Sequence, residues 1–585
     1  MNAINEYNND RNTFFQKNKQ TLVLFGILAT SVVLLYASVF NNPFVWDDFF
    51  TVVNNKYVHD SSHFLELFSA NTYEGSGSIG VNWRPLMLVV FSFLWKFFGG
   101  WTVSYHAVSI FLHAINAILI FVLFKNLFKK YWISFLSALV FAIHPLQTQA
   151  VVYIAGLGDP LSGFFMLSGT IAYIKSQKDD PKTRVYTLLA CLCFICALFS
   201  KENAVMMPGL LFLADIFLRQ THISLKENLK LAFKKIMPFV AIFTYYILAR
   251  LTFLNFLKNV YASSFSTPLY ERVLIFFSTI SDYFQLIFVP LRLHMEHSVY
   301  WVHSFWEPKA LIGSIIILFF FGLIISQWKK RPAISFGLAW FLVAYSPNAN
   351  IFMPTTNLFG EHWLYLSLPG LFLAIFCTGE EFIRKKRYFF AVVFFLSIWI
   401  GWMCYATVNR NLEWETPIGI LSQTHREEPK KVQVMIVLAN LYHDRGEDEK
   451  ALNLYAEALR LEPNNYLAYN FRAELYKKKG DVTDMIYDMK RSCELSPVYS
   501  PSCRPLVKLY IQNKKFDEAE RLLNLQLSQA DTPKIALGTM IQLVSMAVGK
   551  QDHALVKKYL LMSNEYEKEL QKNWTSRFQF WLANR

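Results

Sequence analysis

From Leu22 to about Ala406 the chain is a series of apolar runs separated by short polar breaks. The runs fall at 22–40, 104–124, 132–148, 160–175, 185–200, 203–218, 236–253, 310–327, 333–346, 363–379 and 388–406. Most approach the roughly 20 residues that cross a bilayer as a helix, so they predict eleven spans. The first follows Arg11, Lys17 and Lys19 with no small-residue cleavage site behind it, and reads as an uncleaved signal anchor. Pro85–Phe98 is too short to span, stops at Gly99-Gly100 and reads as an interfacial helix. The stretch 272–290 is apolar enough to span but carries Ser278, Asp282 and Pro290; it is expected to be an interrupted, non-spanning or re-entrant helix. After Asn411 the apolar runs give way to amphipathic helical patterning. The expected architecture is all-α, with a polytopic membrane domain over 1–411 and a second domain over 412–585.

Charge orients this pattern. The chain of 585 residues carries a formal net charge of +14, with 54% apolar and only 17% charged residues, which excludes an ordinary soluble enzyme. Of the 32 Lys and Arg before residue 412, 22 fall in alternate breaks, among them Lys125, Lys129, Lys130, Lys329–Arg331 and Arg384–Arg387. By the positive-inside rule these breaks and the N-terminus are cytoplasmic. Eleven spans then place 412–585 outside the cytoplasm. The 272–290 stretch is not counted, because a twelfth span would put two basic clusters on the wrong side. The basic excess records topology and gives no reason to invoke nucleic acid.

The second domain repeats. Gly446 and Gly480 lie 34 residues apart, as do Ala439 and Ala473, Tyr442 and Tyr476, and Pro463 and Pro497. The period and the order of small, aromatic, Gly and Pro positions match the tetratricopeptide repeat (TPR). Copies follow at about 432–465, 466–499 and 500–533, with a fourth helix pair over 534–570; Arg472 and Met485 depart from the pattern in the second copy. Such units stack into a curved surface suited to holding peptides.

Chemistry concentrates in the outer breaks. Asp47-Asp48 follows the first span; Asn82-Trp83-Arg84-Pro85 leads the interfacial helix; His144-Pro145 closes the third span, and Asp159 opens the fourth. Ser200-Lys201-Glu202 joins the fifth and sixth spans, Arg250 sits near the outer end of the seventh, and Glu361-His362 opens the tenth. Adjacent carboxylates at a membrane surface raise one another's pKa and suit a general base, a metal ligand or a cation site. Cys191, Cys193 and Cys196 lie in an apolar span without acids or His and read as packing, while Cys493 and Cys503 have the opportunity to pair in an oxidising compartment. His294, His297, His303 and Glu296 suit hydrogen bonding within an outer loop better than a metal site. The absence of a Gly-rich phosphate loop argues against nucleotide sugars and ATP as direct donors.

Taken in order, Trp46-Asp47-Asp48, Asn82-x-Arg84-Pro85-Leu86, Tyr105-His106 with His113, His144-Pro145 and Ser200-Lys201-Glu202, followed by TPRs, carry a resemblance. The chain resembles the transmembrane and TPR-containing protein O-mannosyltransferases of the GT-C glycosyltransferase superfamily. Pro290-x-x-Leu293-x-x-Glu296, Leu364-Tyr365-Leu366 and Arg410-Asn411 with Trp414 resemble later family segments. Departures are Gln149 for a usual acidic residue, Gly158 before Asp159 where an Arg is common, His362 for an Arg, and a short repeat array closer to bacterial members.

The resemblance implies a GT-C-type fold and a polyprenyl-phosphate-linked sugar, mannose-like, as donor. It implies Asp47 or Asp48 as the base that activates a Ser or Thr hydroxyl of an exported protein, and Arg250, Lys201, Arg84 and Arg292 as holders of the leaving phosphate, with Arg250 the first choice. Glu202, His144, Asp159, Glu296, Glu361 and His362 are expected around donor and acceptor. No cofactor is required beyond an optional divalent cation. The TPRs are expected to present the acceptor polypeptide, in a bacterial plasma membrane or, in a eukaryote, that of the ER. Two rivals remain at this point: transfer to an envelope glycan or lipid, and a non-catalytic TPR scaffold.

Overall fold

The computed structural model describes residues 2–568 except 79, 81, 178–180, 220–223, 253–266, 300, 352–357, 531–532 and 566. Every regular element among the described residues is helical. The chain divides into two compact units, 1–423 and 424–585. Composition alone put the division at Asn411, but helix Lys386–Glu413 runs past that residue and helix Pro417–Glu427 follows at once.

In the first unit each apolar run becomes a helix, and five are long and apolar enough to cross a membrane: Thr102–Phe128, Thr183–Ser200, Leu225–Thr252, Pro308–Gln327 and Lys386–Glu413. A sixth is obtained if Tyr131–Ile143 and Pro145–Val152 count together, across a 55° bend. The remaining expected spans are represented by helices such as Met207–Leu218, Pro332–Tyr345 and Leu368–Arg384. Lys386–Glu413 presents Phe390, Phe395 and Ile398 outward, a face that lipid suits and water does not.

Breaks have local causes. Pro145 lacks the N–H that would continue the ladder, so the expected run 132–148 bends at His144-Pro145. Pro85–Phe98 is a helix as read, terminated by Gly99 in a positive-φ conformation. The expected interruption of 272–290 is corrected: Leu269–Phe288 is one unbroken helix, ending before Pro290. Ser278 is accommodated by burial, and Asp282 faces outward to Lys309 at 2.8 Å, so neither opens the backbone ladder. Close approach needs small residues: a Cβ on Gly337 would lie 2.3 Å from the carbonyl oxygen of Gly370, and one on Gly313 would strike the backbone of Phe277. Cys193 packs against Gly169 in the same way, and no acid or His accompanies the three cysteines in helix Thr183–Ser200.

The second unit is built from antiparallel helix pairs: Val432–Asp444 with Asp448–Leu461, Tyr466–Lys479 with Val482–Leu495, and Cys503–Gln512 with Phe516–Ser528. Helix Pro533–Gly549 opens the fourth pair, whose last residues lie outside the described ones. Ala439, Ala451, Tyr455 and Ala458 pack between the first two helices, the positions the 34-residue pattern selects. Cys493 and Cys503 form a disulfide that ties the second pair to the third.

Candidate active site

The turn that carries the paired carboxylates is fixed from both sides. Trp46 adopts φ 50°, uncommon for a residue with a side chain, and so sends the two following carboxyls in different directions. Asp48 is fully buried: its Oδ2 accepts the N–H of Val45 at 2.8 Å, and its Oδ1 accepts that of Ala155 at 2.7 Å. Burial pushes its pKa well above the carboxylate range, and the two backbone donors only partly offset this. With both oxygens committed, Asp48 is a brace between the 45–48 turn and the 153–157 segment.

Asp47 is different. It is only half-buried, its backbone N–H donates to the Tyr153 hydroxyl at 2.9 Å, and its Oδ2 accepts from the Tyr73 hydroxyl at 3.2 Å. Burial raises its pKa; hydrogen bonds from Tyr153 and Tyr73 pull it back, Glu296 adds a raising charge and Arg84 a lowering one. Glu296 and Arg84 are thus close enough to be felt at the carboxylate. Asp47 keeps an edge that an incoming hydroxyl can reach.

A second group lies next to it. Glu202 accepts the Trp83 N–H at 3.0 Å and the Arg84 Nε at 3.0 Å, and Arg250 approaches at 3.8 Å. Burial acts to raise Glu202, but the two guanidiniums and the backbone donor outweigh it and hold the pKa down to about 2. Lys201 reaches Asp159 at 2.6 Å, both nearly fully buried. Arg84, Arg250 and Lys201 therefore stand together with Glu202 and Asp159 as one network of buried and half-buried charges. Asp159, Lys201 and His362 line a small cavity whose other walls include Met166, Met206 and Leu366. Arg292 is exposed on the segment after Val289.

The third group centres on Glu361, which is buried. Its Oε1 accepts the N–H of His294 at 2.7 Å and lies 3.0 Å from His297 Nε2, and its Oε2 is 3.2 Å from Arg410. Burial would raise this carboxyl, yet Arg410 and the two imidazoles hold it below its ordinary value. Arg410 also pairs with Glu413 and stacks on Trp414, and the Trp414 ring packs on Tyr153, whose hydroxyl meets Asp47. His362 donates its N–H to Gln149 Oε1 at 3.2 Å, with its Nδ1 3.0 Å from the same oxygen; Gln149 Nε2 donates to the Met295 carbonyl at 3.2 Å. A neutral amide thus joins the 361–362 and 295 segments.

Among the candidate residues, then, Asp47, Arg84, Asp159, Lys201, Glu202, Arg250, Glu296, Glu361 and His362 belong to this cluster. His144 does not offer a binding edge: it is buried, with Nε2 2.9 Å from the Ile287 carbonyl and Nδ1 accepting the Leu146 N–H, so it pins the bend to the end of helix Leu269–Phe288. His113 is likewise spent between the Tyr365 hydroxyl and the Ala142 carbonyl. Among the described residues no three His, Cys, Asp or Glu side chains converge to hold a metal ion, and no chemistry is routed through one. Tyr73 and Tyr153 escaped the sequence reading because each is a lone aromatic in a loop, with no spacing to mark it.

Together these features describe an all-α membrane protein with a polar cluster at one side of its helices and a TPR solenoid in its second unit. A TPR repeat model matches residues 439–480. The protein O-mannosyl-transferase F38B6.6 of Caenorhabditis elegans is 25% identical over 451 residues, covering 75% of this chain and 62% of that protein. The protein O-mannosyl-transferases TMTC3 of Mus musculus and TMTC4 of Homo sapiens are 21% and 22% identical, over 81% and 73% of this chain and 54% and 65% of their own lengths. The homologues of this chain over much of its length are therefore TMTC protein O-mannosyl-transferases. The chain spans between about half and two thirds of the length of these relatives.

Proposed function

We propose that the protein is a multi-pass membrane glycosyltransferase of the GT-C type that moves a mannose-like sugar from a polyprenyl phosphate to Ser or Thr hydroxyls of exported polypeptides. The observation that carries this reading is Asp47: a half-buried carboxylate of raised pKa, oriented by two tyrosines, beside the Arg84, Arg250 and Lys201 cations. Homologues named protein O-mannosyl-transferases support the reaction class.

The acceptor hydroxyl gives its proton to Asp47 as its oxygen attacks the anomeric carbon with inversion. The bond from that carbon to the phosphate oxygen breaks, and the polyprenyl phosphate leaves with both bonding electrons. An aligned base contributes roughly 10²–10⁴-fold. Charge grows on the departing phosphate, where Arg84, Arg250 and Lys201 stabilise it. TPRs of 424–585 present the acceptor, on the outer side by the charge bias, and the Cys493–Cys503 disulfide fits an oxidising compartment. The N-terminus is cytoplasmic in this reading, and the host membrane is a bacterial plasma membrane or the ER.

The test is transfer by the purified full chain from polyprenyl-phosphate mannose to a Ser/Thr peptide, alongside intact masses of exported proteins from cells with and without the chain. Mass increments of one hexose that vanish with Asp47→Asn support the reading. Full transfer by that variant, or unchanged masses, would overturn it.

A further inference from the structure

Helix Leu368–Arg384 begins beside Glu361 and His362 and ends about 25 Å away, at the 1.5 Å rise per residue of an α-helix. At that far end three helix junctions meet around a second cavity. Its walls include Lys130, from the turn after helix Thr102–Phe128, and Lys330 and Arg331, from the turn before helix Pro332–Tyr345. Glu380, Glu381 and Arg384 close it from the last turns of Leu368–Arg384. All three junctions belong to the side that the charge bias makes cytoplasmic.

The lining holds four cations and two carboxylates. Glu380 bridges Lys130 and Arg384, the latter at 2.7 Å, and Glu381 pairs with Arg331. Lys330 makes no ion pair or hydrogen bond among the described residues. The Arg331–Glu381 and Arg384–Glu380 pairs each have one well-exposed member, with Arg384 75% and Glu381 63% exposed, so each contributes little and exchanges readily for another anion. Lys330, outside these pairs, and the Arg331 fork, which Glu381 holds only at the surface, favour a phosphate ligand. The surroundings favour one with hydrocarbon attached. Trp132, Ile325 and Phe382, on the same three junctions, are 66%, 76% and 54% exposed, where acyl chains would lie against them. Basic pockets between helices at the cytoplasmic surface are where anionic headgroups settle.

We infer that this cavity is a binding site for the phosphate headgroup of an anionic glycerophospholipid of the cytoplasmic leaflet. It is separate from the transferase site and does not depend on the reaction proposed for it. Its occupant clamps the junctions of helices Thr102–Phe128, Pro332–Tyr345 and Leu368–Arg384 together.

The full chain, purified in a neutral detergent and titrated with short-chain phosphatidylglycerol or phosphatidylcholine, tests this by native mass spectrometry. Phosphatidylglycerol is expected to bind at one saturable site and phosphatidylcholine weakly. Neutralising two headgroup contacts with Lys330→Gln and Arg331→Gln weakens binding by roughly thirtyfold. Lys329→Gln, outside the cavity wall, leaves it unchanged. Equal binding of the two lipids by the unaltered chain overturns the proposal without reference to any variant. So does an equal loss from Lys329→Gln, which would indicate surface charge alone. Competition by inorganic phosphate as strong as by the lipid would assign the site to a free anion and overturn the lipid.

Discussion

The two units of this chain bury charge in opposite ways. In 1–423, Asp48, Asp159, Glu202 and Glu361 are all withdrawn from water, and each is held by backbone N–H groups or by Lys, Arg and His. In 424–585 the buried carboxylate among the described residues is Asp488, clamped by Arg472 at 2.7 and 2.8 Å, and the apolar core consists of Ala, Val, Ile, Leu, Met, Cys and Tyr. An apolar repeat stack gains its stability from neighbour contacts and needs few such groups. A membrane unit that buries this many carboxylates, Asp215 with Arg219 among them, is spending stability on position, the expected mark of sites for charged groups.

The sharpest way to break that contrast lies within the acidic pair. Asp47→Asn is expected to lower kcat by roughly 10²–10⁴-fold with no loss of folded protein. Asp48→Asn keeps one acceptor where two backbone N–H groups need one each, and costs about 1–3 kcal/mol of stability. Peptide mannosylation assays and melting in detergent separate the two. If Asp48→Asn were the inactive but stable variant, the assignment of base and brace would be reversed.

Next in size is a matched pair of arginines. Arg410→Met leaves Glu361 buried with only the His297 imidazole and the His294 N–H against it, and breaking a buried pair of this kind costs about 3–5 kcal/mol. Arg472→Met removes a partner that is 18% exposed, leaving Asp488 easier to hydrate, and is expected to cost about 1–3 kcal/mol. Local hydrogen exchange in each unit measures both. Similar costs would mean that the two units tolerate buried charge alike.

How much of this was legible beforehand follows the same division. The 34-residue period gave the TPR pairs nearly helix by helix, because each repeat satisfies its own local rules. In the first unit, apolar runs located the helices, and charge bias grouped Arg84, Lys201, Glu202 and Arg250. Partner choice was not legible. Nothing in the sequence distinguishes Asp47 from Asp48, because the distinction arises from Trp46 at positive φ and from an N–H donated by Ala155, over a hundred residues away. His144 looked like a ligand for the same reason: a polar residue at a span end reads identically whether its ring faces a substrate or a carbonyl. Ser278 and Asp282 misled in the other direction: Asp282 has Lys309 at hand, and a small buried Ser278 leaves the backbone ladder intact.

A smaller effect probes the site itself. In the proposed mechanism ionised Asp47 is the working form, and burial raises its pKa from the ordinary Asp value. The acid limb of kcat/KM is therefore expected above about pH 4, with activity falling as pH drops through it. The Tyr73 hydroxyl donates to the ionised carboxylate and lowers that pKa, so Tyr73→Phe is expected to move the limb to higher pH while leaving the plateau within about tenfold. A limb that stays in place would remove Tyr73 from the tuning of the base.

The smallest effect belongs to the repeats, where each turn is built alike. Gly446 and Gly480 adopt φ +78° and +79°, and their N–H groups donate to the carbonyls of His443 and Lys477 at 2.9 and 3.2 Å. The third turn makes the same bond, Lys514 to Ile511 at 3.1 Å, but puts Lys at φ +59°. A side chain there costs about 1–2 kcal/mol. Glycine removes that strain and gives back about 0.5–1 kcal/mol in chain entropy. Lys514→Gly is therefore expected to stabilise the pair Cys503–Gln512 and Phe516–Ser528 by a few tenths to about 1 kcal/mol. Gly480→Lys should destabilise the second pair by a similar amount. Slower hydrogen exchange over 503–528 in the first variant, with the 432–461 pair unchanged, is the expected reading. Faster exchange there would mean that the Lys514 side chain supplies contacts worth more than the strain of its backbone.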